Sequence, residues 1–162
     1  MLTLEKIFYI PAFLRRQCED LKRGGKKIVL TTGIFDILHV AHVRYLEEAR
    51  GLGDILVVGV NSDAFTRKIK GERRPIINEH ERAYLIAAMS MVDYVHIFDC
   101  RLTIVDLVKP NVFVMSSTSH VKPETRSEQQ ERVRSYGGEI VIYGEMTGIH
   151  TTGIIDKIIN LL

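Results

Sequence analysis

Short apolar runs alternate along the chain with segments in which apolar residues recur at helical spacing. Runs of strand length, typical of buried parallel strands, lie at residues 27–31, 55–60, 94–98, 112–115 and 139–143. Helical spacing and helix-start signals predict helices at residues 11–23, 40–52, 63–70, 78–89, 102–108, 125–136 and 151–162. From this alternation we predict an α/β fold: a Rossmann-like, parallel five-stranded sheet with helices on both faces, in a single domain.

Glycine and capping residues place some of the boundaries between these elements. Gly24 and Gly25 end the first predicted helix just before the first strand. Asn78 and Glu81 have the spacing of a capping box and mark the start of another helix. We therefore expect an N-terminal helical extension, 1–25, and a main domain, 26–162. Parallel sheets bind ligands at the carboxyl ends of their strands, so we expect the site at the ends of the first, second and fourth strands.

Composition narrows the expected partners and compartment. The chain has 162 residues, of which 46% are hydrophobic, enough for one core without metals or disulfides. Its 22 basic and 20 acidic residues nearly balance, and no basic face carries interleaved aromatic residues, so neither nucleic acid nor a membrane is an expected partner. Cys18 and Cys100 form no CxxC motif, which indicates neither a disulfide framework nor a zinc site. No apolar segment is long enough to span a membrane, and we expect a cytoplasmic protein.

The segment TTGIFDILHVAH, at residues 31–42, carries the first candidate chemistry. It leads from a strand through Gly33 into a helix, whose unpaired backbone N–H groups and positive dipole end favour phosphate. His39 and His42 are three residues apart and so share one face of the first turn. Gly33 alone is ordinary in α/β proteins, and a histidine pair without a third ligand predicts no metal site. The absence of GxxxxGK[ST] and of GxGxxG in this turn argues against P-loop NTPases and ordinary dehydrogenases.

The same segment carries a family resemblance. It resembles the G-x-F-D-x-x-H segment and the HxGH pair of the cytidylyltransferase-like superfamily, with matching residues Gly33, Phe35, Asp36, His39 and His42. The resemblance continues in order through VNSD, KGERRP, ER and VDYV, which begin at residues 60, 70, 81 and 92. In detail the chain is most similar to the bacterial sugar-phosphate adenylyltransferases that make ADP-heptose, and next to the glycerol-phosphate cytidylyltransferases. The resemblance to this superfamily extends over about residues 26–159.

This resemblance implies an enzyme, a nucleotidyltransferase that moves a nucleoside monophosphate to a sugar-phosphate or similar small molecule and releases pyrophosphate. AMP from ATP is the preferred group, although the sequence does not separate ATP from CTP. The resemblance also implies Mg²⁺ or Mn²⁺ as cofactor and a homodimer. The alternatives are a glycerol-3-phosphate-type cytidylyltransferase, an FAD-synthetase-like adenylyltransferase, and, from another class, a catalytically silent nucleotide-binding module.

The resemblance also implies roles for individual residues. The catalytic residues would be His39, His42, Lys70 and Arg82. The nucleotide would be bound by Thr32, Gly33, Ile34, Phe35, His39, His42, Gly148, Thr151 and Thr152. The acceptor side would be formed by Asp36, Asn61, Asp63, Lys70 and Arg82.

Simpler explanations stay open for some of these residues. Lys70 lies in a basic run that could be a solvated surface, and Arg82 could be an exposed helix residue. Asp63 could be only a helix cap, and Thr151 or Thr152 could serve as an ordinary N-cap, a geometry that also suits anion binding.

Three departures from the family pattern bear on activity. Ala41 replaces the glycine of HxGH, and His150 replaces a serine of the C-terminal G-x-S-T-[ST] element, which makes local charge depend on pH. Met115 and the SSTS that follows replace Lys-Gly-Gly-Asp-Tyr, which we expect to weaken recognition of the acceptor or of the nucleotide's base and ribose. His120 and Lys122, just beyond, are candidates to substitute for the lost groups.

Overall fold

The computed structural model describes residues 2–117, 123–144 and 148–161. Within them the strands are β1 (Ile28–Gly33), β2 (Ile55–Asn61), β3 (Tyr94–Phe98), β4 (Val112–Ser116) and β5 (Glu139–Tyr143). A short 3-10 helix, Thr3–Lys6, precedes α1 (Pro11–Arg23), α2 (Val40–Arg50), α3 (Asp63–Lys70), α4 (Glu79–Ala87), α5 (Arg101–Val108), α6 (Pro123–Ser135) and α7 (Thr151–Ile159). No helix of this described part is both long and apolar enough to cross a membrane.

The strands form one parallel sheet in the order β3–β2–β1–β4–β5, which confirms the predicted fold class. The chain moves from β1 outward to β2 and β3, then crosses to the other side of β1 to form β4 and β5. The carboxyl ends of β1 and β4 therefore flank the point where the strand order reverses. In parallel sheets this point opens a crevice between the loops, where ligands bind.

Side chains alternate between the two faces of the sheet and bury two apolar clusters. On one face, Val29 of β1 and Leu56 of β2 pack against α2 and α4. On the other face, Leu30 of β1 and Phe113 of β4 pack against α1, α5 and α6. The helices thus cover both faces and leave the carboxyl edge of the sheet to the loops.

The element boundaries agree closely with those predicted from the sequence. β1 continues two residues further, to Gly33, while α2 ends at Arg50 rather than at residue 52. The predicted cap of α4 is present, because the side-chain oxygen of Asn78 accepts hydrogen bonds from the backbone N–H groups of His80 and Glu81 at 3.1 and 3.0 Å.

The segment before β1 packs onto the sheet. Ile7 forms a parallel bridge with Val95, and the N–H of Phe8 donates to the carbonyl oxygen of Val95 at 2.9 Å. Leu14 and Cys18 of α1 are 0% and 1% exposed and belong to the second cluster. The extension therefore contributes to the core of the domain, while a boundary at residue 25 stays a prediction.

Candidate functional site

A cavity of about 240 Å³ lies at the carboxyl edge of the sheet. Its walls come from the ends of β1, β2 and β4, the first turns of α2 and α7, and the loop after α3. The predicted site residues that line it are Thr32, Gly33, Ile34, Phe35, Asp36, His39, His42, Asn61, Lys70, Thr151 and Thr152. The predicted site residues outside the lining are Asp63, Arg82 and Gly148.

The turn after β1 is shaped by Gly33 and Phe35. Phe35 has a positive φ of 52°, uncommon for a residue with a side chain, and its ring is buried. A Cβ atom at Gly33 would lie 2.8 Å from the Cε2 and Cζ atoms of that ring, so glycine is required for the turn to close on Phe35. Residues 32–35 line the cavity.

His39 and His42 form a stacked pair at the start of α2. Their ring centroids are 3.9 Å apart with the planes inclined at 29°, and the Phe35 ring meets His42 edge-on at 5.4 Å. Burial, and secondarily His39, lower the pKa of His42 to about 4. Burial and the nearby His150 lower the pKa of His39. Both imidazoles are therefore neutral at pH 7 and can hydrogen bond an anion without carrying a charge of their own.

Tyr45, which the sequence analysis did not single out, ties α2 to the sheet beneath the histidines. Its hydroxyl lies 2.7 Å from Oγ1 of Thr31, and both hydroxyls are 3.1 Å from the carbonyl oxygen of Val114. Burial raises the pKa of Tyr45, so the phenol keeps its proton. These bonds join β1, β4 and α2 at the reversal of strand order and so fix the helix that carries the histidines.

Asp36 anchors the loop that follows α3. Its buried carboxylate accepts hydrogen bonds from Nε of Arg74 at 2.7 Å and from the N–H groups of Ile76 and Ile77 at 2.8 and 2.9 Å. One carboxylate oxygen serves Arg74 and the other serves both amides, so the protein already engages each. Asp36 lines the cavity, yet its present contacts hold the loop rather than leaving the carboxylate for a substrate.

Lys70 is a cation of the cavity wall, at the end of α3 where the loop held by Asp36 begins. It ends α3, and burial, together with the nearby charge of Arg74, lowers the pKa of its ammonium. Because Asp36 pairs with Arg74, the neighbouring positive charge is partly neutralised. Lys70 is thus placed at the cavity wall rather than in a fully solvated surface run.

Arg82 is buried behind residues of the lining. It is 0% exposed, and its guanidinium donates to the carbonyl oxygens of Ile77, Ile34 and Asn61 and to the carboxylate of Asp63. Arg82 itself lies outside the cavity lining, and its predicted contact with a phosphate stays a prediction. The residue holds together the segments that do line the cavity.

Asp63 and Asn61 both accept a hydrogen bond from Arg82, but only Asn61 lines the cavity. The carboxylate of Asp63 binds Arg82, and Asp63 lies outside the cavity lining, so its place on the acceptor side stays a prediction. Asn61 is 1% exposed and lines the cavity, and its side-chain Nδ2 and Oδ1 have no hydrogen-bond partner within the described chain. A buried amide of this kind is costly unless a ligand or water completes its bonds.

The start of α7 closes the cavity from the opposite side. Oγ1 of Thr151 donates to the carbonyl oxygen of Ile37 at 3.5 Å, which connects α7 to the loop before α2. Thr152 and His150 also line the cavity, while Gly148 lies outside the lining, and its role in binding nucleotide stays a prediction. His150 precedes the first turn of α7 and acts on the charge of His39.

Several lining residues were missed by the sequence analysis. Besides Tyr45 they include Ile69, Arg74, Arg101, Ser116, Gly144 and Ile149. Arg101 could have been found, because it begins the helix that follows a predicted strand, at the edge of the sheet where ligands bind. The others depend on how loops fold back, which no local pattern records.

The three departures from the family pattern differ in where they lie relative to the cavity. Ala41 and His150 line the cavity, so both can affect a ligand. Met115 is 5% exposed and packs in the apolar cluster on the α5 and α6 side, with its sulfur 4.0 Å from Nε2 of Gln130. Met115 thus packs in the core, and the expected weakening of recognition by its replacement of the family lysine stays a prediction. Residues 118–122, with His120 and Lys122, lie outside the described residues.

The described residues do not form a cage for a metal ion. Asp36 is the acidic residue of the cavity wall, and its two oxygens are engaged by three donors. No group of three histidine, cysteine, aspartate or glutamate side chains in the described ranges could hold a metal. Mg²⁺ in phosphate-transferring sites takes many of its ligands from phosphate oxygens and water, so the predicted Mg²⁺ or Mn²⁺ does not require such a cage.

The comparison with protein families decides what this arrangement is. The model of the cytidylyltransferase-like family matches residues 30–157, which is most of the chain and includes every residue that lines the cavity. The chain belongs to the cytidylyltransferase-like family. The predicted resemblance is confirmed, and with it the class of nucleotidyltransferase enzymes.

Relatives in curated collections support the same family. The chain is 44% identical over 149 residues to the bifunctional protein HldE of Syntrophotalea carbinolica, and 47% identical over 144 residues to that of Geobacter metallireducens. The matches cover 91% and 88% of this chain but 30% and 29% of the relatives. The chain thus spans less than a third of their length.

Solved structures agree with the fold. The lipopolysaccharide core biosynthesis protein of Thermoplasma volcanium is 31% identical, with a TM-score of 0.63 over 77% of this chain and 100% of its own. The pantoate-β-alanine ligase of Francisella tularensis has a TM-score of 0.64 over 91% of this chain and 69% of its own. At 13% identity the ligase is similar in fold alone.

Proposed function

We propose that the chain transfers AMP from ATP to the phosphate of a phosphorylated sugar and releases pyrophosphate. The observation that carries this proposal is the meeting of His39, His42 and Lys70 with the start of α7 around one cavity at the reversal of strand order. The detailed resemblance to adenylyltransferases that make ADP-heptose supports ATP and a heptose phosphate as the substrates. The name of the solved relative, a lipopolysaccharide core biosynthesis protein, also supports a sugar phosphate as the acceptor.

The reaction needs no protein nucleophile. An oxygen of the acceptor phosphate attacks the α-phosphorus of ATP and forms a new P–O bond. The bond between that phosphorus and the oxygen bridging to the β-phosphate breaks, and pyrophosphate leaves with the electron pair. The protein's task is to align the two phosphates and to stabilise the charge that develops on the α-phosphate and on the leaving group.

The residues of the cavity have chemistry that suits these tasks. The neutral imidazoles of His39 and His42 would donate hydrogen bonds to the triphosphate, and Lys70 would offset its charge. The backbone of residues 32–35 and the first turn of α7, with Thr151 and Thr152, would hold the phosphates. Arg82 and Asp36 would act as positioning residues, since they hold the turn and the loop.

The test measures pyrophosphate release by the purified protein with Mg²⁺. ATP is compared with CTP across heptose 1-phosphate, other sugar 1-phosphates, glycerol 3-phosphate and FMN, and Mn²⁺ replaces Mg²⁺ in a parallel series. We expect release with ATP and heptose 1-phosphate. Release only with CTP and glycerol 3-phosphate would indicate a cytidylyltransferase, and release only with FMN an FAD-synthetase-like enzyme.

Silence across the panel, with ATP binding intact in a thermal-shift assay, would indicate a nucleotide-binding module instead. Such a loss of activity could be traced to the two departures from the family pattern at Ala41 and His150, because both residues line the cavity. Restoring the family residues in Ala41→Gly and His150→Ser would then recover release if those two positions alone had silenced the enzyme.

We also propose that the protein is a cytoplasmic homodimer, as the resemblance implies. Light scattering coupled to size-exclusion chromatography tests the dimer, which predicts a mass of twice the 18.5 kDa of the chain. Fractionation of the source cells tests the compartment.

A further inference from the structure

Arg101 is a cation of the cavity wall that the proposed transfer of AMP does not yet use. It is the first residue of α5, three positions after β3 ends at Phe98. Its guanidinium carbon lies 5.3 Å from the centre of the Phe65 ring, and that ring meets the Phe98 ring edge-on at 5.9 Å. Burial lowers the pKa of Arg101, yet a guanidinium stays charged at neutral pH.

Arg101 has no acidic partner in the part of the chain that the structure describes. Among the described residues no aspartate or glutamate forms an ion pair with it, whereas Arg74 and Arg82 of the same region each have a carboxylate partner. A half-buried, uncompensated guanidinium at a cavity wall is a typical binding group for a phosphate.

The backbone around Arg101 is held in place from two directions. The N–H of Ser62, just after β2, donates to the carbonyl oxygen of Phe98 at 2.9 Å, and the Ser62 hydroxyl donates to Asp99. Nε2 of the buried Gln129 on α6 lies 3.5 Å from the carbonyl oxygen of Arg101. The start of α5 is thus fixed relative to β2 and α6 before any ligand binds, which lowers the entropic cost of binding.

Asn61 supplies a second group at the same end of the cavity. Its backbone pairs in register with Phe98 on the neighbouring strand, so it lies close to the turn that leads to Arg101. Its buried side chain lines the cavity with both Nδ2 and Oδ1 unpartnered in the described chain. A carboxamide with a donor and an acceptor side by side matches a hydroxyl, which can accept from the one and donate to the other.

These two groups come from other elements of the fold than the histidine pair and Thr151. The histidine pair and Thr151 lie at the starts of α2 and α7, whereas Asn61 ends β2 and Arg101 begins α5 after β3. We propose that Arg101 and Asn61 form the acceptor subsite, in which the guanidinium binds the phosphate of a phosphorylated polyhydroxy compound and the carboxamide binds a neighbouring hydroxyl. This inference rests on the proposed function and names the residue that selects its second substrate.

The experiment compares Arg101→Met and Arg101→Lys with the wild type. Methionine keeps an apolar stem against Phe65, and lysine keeps the charge without the two-pronged donor set. Arg134→Met is the matched control, since Arg134 is exposed on α6 and outside the cavity lining. Initial rates of pyrophosphate release are measured while either heptose 1-phosphate or ATP is varied.

We expect Arg101→Met to raise the KM for heptose 1-phosphate by about 10- to 100-fold, the loss of a charge-assisted hydrogen bond. The KM for ATP should stay within about twofold, and Arg101→Lys should recover part of the loss. Kinetics equal to those of Arg134→Met, or a rise in the KM for ATP instead, would overturn the proposal. A residue that only packs on Phe65 would not separate the two KM values.

A second measurement keeps this inference separate from the proposed reaction. If the wild type releases no pyrophosphate, the proposed function fails. In that case heptose 1-phosphate is titrated by calorimetry into the wild type and into Arg101→Met, each saturated with a non-hydrolysable ATP analogue. Binding that is about tenfold weaker in the variant supports the acceptor subsite. Equal binding by both proteins, or binding by neither, overturns it.

Discussion

Arg82 and Asp63 form a buried ion pair, with Nη2 of the guanidinium 2.7 Å from Oδ1 of the carboxylate. The same Nη2 donates to the carbonyl oxygen of Asn61, also at 2.7 Å. The pair therefore connects α4 and α3 to the end of β2, directly behind the cavity. Through these bonds Arg82, although outside the cavity lining, holds Ile34 and Asn61, which belong to it.

Arg82→Met is expected to lower the free energy of unfolding by about 3–5 kcal/mol, because it leaves a partly buried carboxylate and three carbonyl oxygens without their donor. Urea denaturation followed by circular dichroism measures the loss. Asp63→Asn should cost less, since the Asp63 side chain is 23% exposed and water can reach it. Loss below about 1 kcal/mol for Arg82→Met would contradict the structural role assigned to the pair.

Asp36→Asn is expected to loosen the loop between α3 and α4, since an amide offers one acceptor atom where the carboxylate offers two. The backbone amides of Ile76 and Ile77 should exchange hydrogen about tenfold faster or more. The KM for ATP should rise with them, because Lys70, the last residue of α3, lies where this loop begins. Asp20→Asn, which removes an exposed aspartate paired with Arg23, is the matched control and should change neither quantity.

His42→Asn is expected to lower kcat for pyrophosphate release by about 100-fold or more, because it removes a donor aimed at charge that develops in the transition state. Binding of ATP in the ground state should change far less, which calorimetry measures. His80→Asn, at an exposed position outside the cavity lining, should leave kcat unchanged. An unaltered kcat in the His42 variant would remove this residue from the catalytic set.

Stability should depend on pH through the same histidine. The pKa of His42 is about 4 in the folded protein, below its ordinary value of 6.5, so between these values the unfolded chain binds more protons. The contribution of neutral His42 is present above pH 6.5 and is lost as pH falls toward 4. The midpoint of thermal unfolding should therefore fall over this window, and it should fall less steeply in His42→Asn. Parallel curves for the two proteins would show that the histidine is not desolvated.

Much of the fold could be predicted because its causes are local. The alternation of apolar runs with helical spacing placed every strand, and Asn78 marked the start of α4 through contacts with residues two and three positions ahead. His39 and His42 could be placed together because three residues along a helix bring side chains to one face. Where the causes are not local, the sequence could not predict the contacts: Arg82 and Asp63, 19 positions apart in the chain, bind each other behind the cavity lining.

The amino-acid sequence by itself determined the class of fold, the position of the turn after β1 and the histidine pair, since hydrophobic periodicity and short spacings specify all three. Only the tertiary structure decided which charged groups face the cavity. A carboxylate or guanidinium is available to a ligand when no other segment reaches it, and that depends on contacts such as Arg74 with Asp36, 38 positions apart in the chain. Within the described chain, the same packing leaves Arg101 at the cavity wall without a carboxylate partner. The periodicity and spacing of the sequence do not record this, because it depends on which distant segments reach the guanidinium.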